Sequence, residues 1–201
     1  MKIKILSIVL LFAVMSGFTK STYAATVNNA DYTLLGDIKA INKIEVRGNV
    51  ELFISDNSAE QVKVYNKYYS ENALVQYKNG LLRISSYSPE KLIVWVSSDD
   101  LYAVSVYDNA EVKSFGTLSK IEFNVDVHNN ASVKLSLDAY SANITVNDHA
   151  KAELSGSAKE FSLNHAVNTS VIKTDFIAEK FNDHQTGSSK AIKADELSVL
   201  E

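Results

Sequence analysis

Residues 104–113 read VSVYDNAEVK, and residues 125–134, which begin 21 positions later, read VDVHNNASVK. A third copy, ITVNDHAKAE, occupies residues 144–153, and two weaker copies surround residues 168–171 and 187–190. In each strong copy, apolar and polar residues alternate on both sides of a turn-forming segment rich in Asn and Asp. A strand repeat of about 20 residues without a helix is typical of a β-solenoid, in which each coil stacks on the previous one.

The repeat therefore predicts an all-β fold, a right-handed parallel β-helix or β-solenoid with coils of about 20 residues. At about 3.3 Å per residue, such a coil has a perimeter of roughly 65 Å, which encloses side chains but leaves no channel. The alternating apolar residues should form stacked columns inside the coils. The predicted inward set is Val104, Val106, Val112, Phe123, Val125, Val127, Val133, Leu135, Ile144, Val146, Leu154, Phe161, Leu163 and Ile172.

An antiparallel sandwich or barrel is the alternative architecture, because its strands also recur every 8 to 12 residues. A plain strand period does not require similar turn sequences to recur once per coil, whereas stacked coils do. Strand-like alternation without regular spacing also occurs between residues 44 and 96. We therefore expect a solenoid domain over residues 38–201, with a less regular N-terminal β part and an extension at residues 25–37.

The first 24 residues have the pattern of a secretory signal peptide. A charged start is followed by an apolar run at residues 5–15 and by small and polar residues that end at Ala24. Lys20 closes the run well before the roughly 20 apolar residues that a membrane anchor needs. The sequence predicts cleavage after Ala24, export to the periplasm or the cell surface, and no membrane span in the mature chain.

Charge and cysteine content exclude several classes of function. The net charge of −4 becomes −7 after cleavage, because the signal peptide carries Lys2, Lys4 and Lys20 and no acidic residue. This acidic balance argues against nucleic acid as a partner and against electrostatic adsorption to anionic lipid. The chain has no cysteine, which excludes disulfides, thiol catalysis, thiolate metal sites and the lipid-bearing cysteine of a bacterial lipoprotein. No cofactor is expected.

The segments at residues 41–52 (INKIEVRGNVEL), 62–64 (VKV) and 79–84 (NGLLRI), together with the Asn-Ala repeats, resemble the GIN-domain family. This family, the DUF2807 group, comprises exported bacterial proteins that are also described as auto-transporter adhesin head domains. The likeness covers residues from about 38 to 195. It implies the repeated β fold, with the small-residue turn of the family replaced here by Asn and Asp, which tolerate left-handed backbone almost as glycine does.

Five tyrosines in the less regular part of the domain form the first predicted binding surface. Exposed tyrosines offer sugars or proteins a flat apolar face with a hydroxyl rim. Alternatively, some of them cover the open end of the solenoid core, which a repeat protein must cap. These residues are Tyr65, Tyr68, Tyr69, Tyr77 and Tyr87.

Histidines suggest a metal site. His165 and His184 lie 19 residues apart, so adjacent coils would bring them to about 5 Å from each other. With Asp183 or Asp175 they could bind zinc through imidazole nitrogens and a carboxylate, although a specific zinc site needs three or four ligands. The alternative is a pair of exposed, stacked polar side chains.

The Asn and Asp residues of the repeated turns are predicted to line up as a ladder of side-chain oxygen atoms. It could bind calcium or sugar hydroxyls, but the glycine-rich nonapeptide of calcium-binding β-rolls is absent. Asx side chains commonly stabilise turns, which favours a structural role in which they pair with one another up the stack. The residues are Asp108, Asn109, Asn129, Asn130, Asn147 and Asp148.

Catalytic motifs are missing from the sequence: it contains no Gly-x-Ser-x-Gly, no His-Glu-x-x-His and no phosphate-binding loop. We therefore predict a non-catalytic envelope module that binds a glycan or a cell-surface protein. The alternatives are a polysaccharide-active enzyme of the β-helix type, whose site would be assembled across coils, and a periplasmic structural or assembly factor. Unpaired terminal coils with an exposed edge would favour a homodimer.

Overall fold

The computed structural model describes residues 32–36, 38–65 and 73–187, and the regular structure within these ranges is entirely β. The predicted signal peptide, most of the N-terminal extension, Tyr68 and Tyr69 lie outside the described residues. The all-β prediction is confirmed. The strands are β1 (Thr33–Leu35), β2 (Lys43–Gly48), β3 (Val50–Ser55), β4 (Gln61–Val64), β5 (Ala73–Lys78), β6 (Leu81–Ser86), β7 (Leu92–Ser97), β8 (Ala103–Val106), β9 (Glu111–Val127), β10 (Ser132–Val146), β11 (Lys151–Ala166) and β12 (Ser170–Thr186).

These strands form one sheet that curls into a half-barrel. Along the sheet the order is β1-β4-β7-β3-β9-β8-β2-β6-β5, and β10, β11 and β12 are added in turn to β9. Pairing is antiparallel where β1 meets β4, where β4 meets β7 and where β5 meets β6, and it is parallel elsewhere. Within the described residues, no helix is long and apolar enough to cross a membrane.

The sequence repeats correspond to parallel pairing of the long strands. Ser132 of β10 lies beside Glu111 of β9 on one side and beside Lys151 of β11 on the other, so the register follows the 21- and 19-residue spacings. Val106, Val127 and Val146 are successive register partners, which confirms their predicted stacking. Since the repeats pair in parallel within one sheet, two packed antiparallel sheets are not observed in the described part of the chain.

The core lies on the inner side of this sheet. Every member of the predicted inward set except one is at most 3% exposed. The exception is Ile172, which is 53% exposed, so its assignment to the core was wrong. In the observed register Ile172 lies beside the exposed Glu153, and Val171 takes the inner position beside Ala152. Because side chains alternate between faces, an error of one position in the register moves a residue from one face of the sheet to the other.

The Asn and Asp ladder has a structural role in the turns. Asp108, Asn129 and Asp148 have φ angles of 63°, 61° and 59°, a left-handed conformation that Asn and Asp tolerate better than other side chains. The backbone N–H of Asp108 donates to Asn129 Oδ1 (3.2 Å), and that of Asn129 donates to Asp148 Oδ2 (2.8 Å). Each turn is therefore tied to the next one, as the structural alternative predicted.

Candidate functional site

One column of outward-facing side chains crosses seven neighbouring strands of the sheet, from β4 to β12. Alternation produces it: in β7, Val94 and Val96 are buried, and Trp95 between them faces outward. Strand pairing then places Phe53 of β3 beside Trp95, although 42 residues separate the two in sequence. In sheet order this outer column contains Lys63, Trp95, Phe53, Lys113, Lys134, Glu153 and Ile172.

Three aromatic side chains, Phe53, Trp95 and Phe115, form a platform on this face. The rings of Phe53 and Trp95 are stacked, with centroids 4.8 Å apart and planes inclined by 23°. The ring of Phe115 lies 5.1 Å from that of Trp95 at 57°, and its side chain is 63% exposed. Trp95 is the single tryptophan of the chain. Aromatic groups of this size are usually buried in a core, so their outward position makes this face the candidate site.

Charged side chains border the aromatic platform and neutralise one another. Glu51 and Glu111 are register partners, and Lys113 contacts both carboxylates, at 2.5 Å and 3.3 Å. Lys91 pairs with Glu111 at 2.7 Å. The hydrogen bonds from Lys91 and Lys113 hold the pKa of Glu111 below its ordinary value, and the hydrogen bond to Glu51 raises the pKa of Lys113. Glu111 and Lys113 therefore remain charged at neutral pH, and they can exchange hydrogen bonds with a polar ligand.

A shallow groove of about 230 Å³ continues the same face beyond the platform. Its lining includes Lys113, Lys134, Lys151, Glu153 and Ile172, so the outer column forms much of its floor. Lys134 and Glu153 form an ion pair at 2.6 Å. Lys151 is exposed and forms no ion pair with any described residue. The face is thus aromatic at one end and rich in lysine at the other.

Sequence reasoning missed this face, although part of the signal was present. In the strand-like alternation at residues 93–96, Trp95 lies on the opposite phase from Val94 and Val96, and no face was assigned to any of the three from sequence. The missing information was the strand order, because β3 and β7 are neighbours only through long-range pairing. A tryptophan on the polar phase of a strand pattern was the clue that could have found the platform.

The predicted tyrosine surface is divided among different environments. Tyr65 follows β4 and is 38% exposed, with its ring centroid 5.3 Å from that of Tyr32. Tyr77 lies on β5, near the opposite end of the strand order, and its hydroxyl donates to the backbone carbonyl of Lys39.

Tyr87 lies between β6 and β7, beside the column of turns. It is 72% exposed, and its hydroxyl donates to Asp108 Oδ2 at 3.0 Å. This hydrogen bond raises the pKa of the Tyr87 hydroxyl. Tyr87 thus supports the turn that contains Asp108, and the residue remains 72% exposed.

The predicted metal residues are only partly brought together. His165 Nε2 lies 3.3 Å from Asp183 Oδ1, and Lys173 Nζ lies 3.3 Å from the other oxygen of Asp183. His165 takes the position beside the buried Val146 and so faces inward, whereas His184 lies beside Asn164 on the opposite face. Two of the three proposed ligands therefore meet, and an ammonium group occupies the side of the carboxylate where a cation would bind.

A group of three carboxylates that the sequence did not predict lies elsewhere. Oxygens of Glu60, Asp99 and Asp100 approach within 4.8 Å of one another. Glu60 already accepts a hydrogen bond from the hydroxyl of the buried Ser98, at 2.8 Å. The ammonium group of Lys120, whose side chain is 5% exposed, donates to the carbonyl of Asp99 at 2.7 Å. This positive charge makes the cluster part of a structural network.

Comparisons with known proteins agree on the fold. A protein from Bacteroides fragilis described as a putative adhesin has a TM-score of 0.69 at 14% sequence identity, over 77% of this chain and 75% of that chain. Another protein so described, from Parabacteroides distasonis, has a TM-score of 0.64 at 16% identity, over 77% of each chain. A third, described as a putative lipid binding protein from the same species, has a TM-score of 0.57 at 11% identity, over 77% of each chain. Identities this low establish similarity of fold and not of ligand.

At the level of sequence, no curated protein matches the chain significantly. A family model does: residues 40–198 match the one described as "Putative auto-transporter adhesin, head GIN domain". This match covers most of the chain and agrees with the resemblance carried by the strand and turn motifs. The chain therefore belongs to the DUF2807 family of head GIN domains.

Proposed function

We propose that this chain is an exported, non-catalytic module of the cell envelope that binds a glycan through the aromatic platform. The observation that carries the proposal is the outward cluster of Phe53, Trp95 and Phe115 beside paired charges. Membership of an adhesin-like family supports a role in binding. In this proposal the stacked strands form a right-handed β-solenoid, which serves as a rigid support for the face.

A saccharide suits this surface because of its own chemistry. One face of a sugar ring presents C–H groups, which pack on the flat apolar surface of an indole or a phenyl ring. Hydroxyl groups project around the edge of the sugar, where Glu51 and Glu111 can accept hydrogen bonds and Lys113 can donate them. Hydrogen bonds to such charged groups are stronger than those between neutral partners. The platform and its rim therefore match both parts of a sugar.

The charges beside the platform favour binding over catalysis. A glycosidase needs a carboxylic acid that remains protonated near the working pH, so its pKa must be raised. The pKa of Glu111 is displaced in the opposite direction by two lysines. A carboxylate held in this state can position a hydroxyl group but is a poor proton donor. The lowered pKa of Glu111 therefore supports the non-catalytic hypothesis over a polysaccharide-active enzyme.

A glycan array with soluble protein tests the proposal. Wild-type protein should retain at least one glycan without releasing products, and Trp95→Ala should weaken retention at least tenfold, as expected for a central aromatic contact. Phe115→Ala is a second variant that the fold should tolerate, because Phe115 is 63% exposed. Tyr140→Ala is the matched control, since Tyr140 is an exposed aromatic residue of β10 that lies away from the platform.

Each other result of the array contradicts the proposal in a specific way. Product release would favour the polysaccharide-active enzyme. Retention that Tyr140→Ala weakens as much as Trp95→Ala would move the binding site away from the platform. An array without any retained glycan would favour a protein partner or a structural or assembly factor.

We also propose export and self-association. Export to the periplasm or the cell surface predicts that the mature protein begins at Ala25, which N-terminal sequencing of the envelope fraction would establish. A homodimer could form at β12, whose 17 residues pair among the described strands only with β11. Such an open edge is available to a second copy of the chain. Sedimentation across a concentration series should show a dimer, and a monomer mass at every concentration would contradict it.

A further inference from the structure

The face that carries the platform has more positive than negative charge. Three lysines on or beside it are paired with three glutamates, as Lys91–Glu111, Lys113–Glu51 and Lys134–Glu153. Two further lysines, Lys63 and Lys151, form no ion pair with any described residue. The whole chain has a net charge of −4, so a local positive excess is unexpected on general grounds. Its position beside an aromatic platform suggests a ligand with acidic groups.

We infer that this face binds an extended, carboxylate-bearing polysaccharide that runs along the stacking direction of the strands, from Lys63 across the platform to Lys151. The inference rests on the proposed function and names its ligand class. Sugar rings in the middle of the bound segment pack on Trp95 and Phe53. Carboxylates toward its two ends meet the ammonium groups of Lys63 and Lys151.

The dimensions of the face fit a polymer better than a single sugar. Lys63 lies on β4 and Lys151 on β11, and the path between them passes through β7, β3, β9 and β10. Neighbouring strands are about 4.8 Å apart, so five intervals span roughly 24 Å. A monosaccharide is too short to reach both lysines, whereas several linked sugar units can do so. Ile172 and the groove lined by Lys134 and Glu153 continue the face beyond the platform.

Lys63 and Lys151 should determine whether the face prefers an acidic polymer to a neutral one. Lys113 and Lys134 already satisfy carboxylates of the protein, so an acidic ligand gains little from them. Among the described residues Lys63 and Lys151 have no carboxylate partner, and the ammonium group of Lys63 lies 5.3 Å from the centroid of the Tyr32 ring. Neither lysine therefore loses an ion pair with these residues when a ligand carboxylate arrives. Each exposed contact of this kind contributes modestly, and salt weakens it. The platform should therefore supply most of the affinity, and these two lysines the preference for an acidic chain.

Affinity electrophoresis in gels that contain polygalacturonate tests the inference, with fully methyl-esterified polygalacturonate as the uncharged counterpart. The double variant Lys63→Gln/Lys151→Gln should bind the acidic polymer about five- to tenfold more weakly than wild type does. It should bind the methyl ester with the same affinity as wild type. The control Lys78→Gln/Lys159→Gln changes the net charge equally at exposed lysines outside the platform and the groove, and it should change neither affinity more than twofold. Trp95→Ala should weaken binding of both polymers.

The remaining outcomes separate the two proposals. If the two double variants weaken polygalacturonate binding equally, or if neither weakens it, the inferred polymer path is wrong. If Trp95→Ala still weakens binding in that case, the aromatic platform remains supported as the binding site. If Trp95→Ala changes nothing for either polymer, the platform itself is wrong. Absence of any retardation by polygalacturonate overturns the inference, and the glycan array then decides the proposed function alone. Equal retardation by inorganic polyphosphate would show that charge alone drives binding and would also overturn the inference.

Discussion

Replacing Gly156 with alanine should severely destabilise the fold, because β10 and β11 approach closely at this residue. Gly156 is the register partner of Leu137 and has a φ angle of +102°. A Cβ atom added there would lie 2.0 Å from the backbone oxygen of Leu137, a distance at which one of the two strands has to move. Gly116 provides the control, since its φ angle is +82° and nothing lies within 4 Å of its Cβ position.

The difference between the two variants isolates the steric effect. Both should lose about 1–2 kcal/mol because an L-amino acid adopts these backbone angles with strain. Gly156→Ala should lose at least about 2 kcal/mol more, because the displaced strands break core packing and ladder hydrogen bonds. For a domain of this size, 1 kcal/mol corresponds to about 2–4 °C in Tm. We therefore expect Gly156→Ala to melt at least about 4–8 °C below Gly116→Ala.

Urea unfolding followed by far-ultraviolet circular dichroism measures the two free energies, and the fluorescence of Trp95, the single tryptophan, provides a second probe. Coincident transitions from the two probes would justify a two-state treatment. The reasoning is refuted if the unfolding free energies of the two variants agree within about 0.5 kcal/mol. Such agreement would mean that the strands are not this close at Gly156 in solution.

Four further outcomes are expected. Lys120→Met should lower the unfolding free energy by about 2–4 kcal/mol, because it leaves Asp56 without the ion pair that a 5% exposed ammonium group provides; a loss below 1 kcal/mol would contradict this. The lowered pKa of Glu111 means that its ion pairs stabilise the fold above the ordinary pKa of 4.5, and that this stability is lost as the pH falls through the lower folded pKa. Glu111→Gln should therefore flatten the pH dependence of urea unfolding below about pH 5, and an unchanged slope would count against the pairing. Titration calorimetry with Zn²⁺ should show no saturable binding that depends on His165, since His184 faces away from His165. A binding isotherm that His165→Ala abolishes would contradict this. Finally, Tyr87→Phe should lower the free energy of unfolding in urea by about 0.5–1.5 kcal/mol, because its hydrogen bond to Asp108 is lost. An unchanged free energy would contradict this structural role of the hydroxyl.

Much of the repeat part of the domain was predictable from sequence. Its determinants are local: alternation assigned residues such as Val127 and Val146 to the core, and recurring Asn and Asp residues marked the left-handed turns. The spacing of the copies also indicated which residues stack, because neighbouring copies pair in parallel at that spacing. The weak fourth copy was the place where this reasoning failed, since in the observed register Val171 lies beside the buried Ala152 and Ile172 beside the exposed Glu153.

The candidate site could not be predicted in the same way. Phe53 and Trp95 come from strands that are not consecutive, and Phe115 joins them from a third strand. Lys120 and Asp56 form their ion pair across 64 positions of sequence. The tyrosines looked like a cluster because they are close in sequence, yet β4 and β5 lie near opposite ends of the strand order. Closeness along the chain was a poor guide wherever the repeat was absent.

The sequence by itself determined the strand content, the turns and the inner and outer phase of most strands, because side-chain alternation and turn chemistry depend on residues a few positions apart. Only the tertiary structure decided which outward residues meet, because strand order depends on pairing between distant segments. That order joined Trp95 to Phe53 and Lys113 in one column, and it separated His184 from His165. The surface that we assign to ligand binding is therefore a product of long-range pairing between strands whose individual patterns were already present in the sequence.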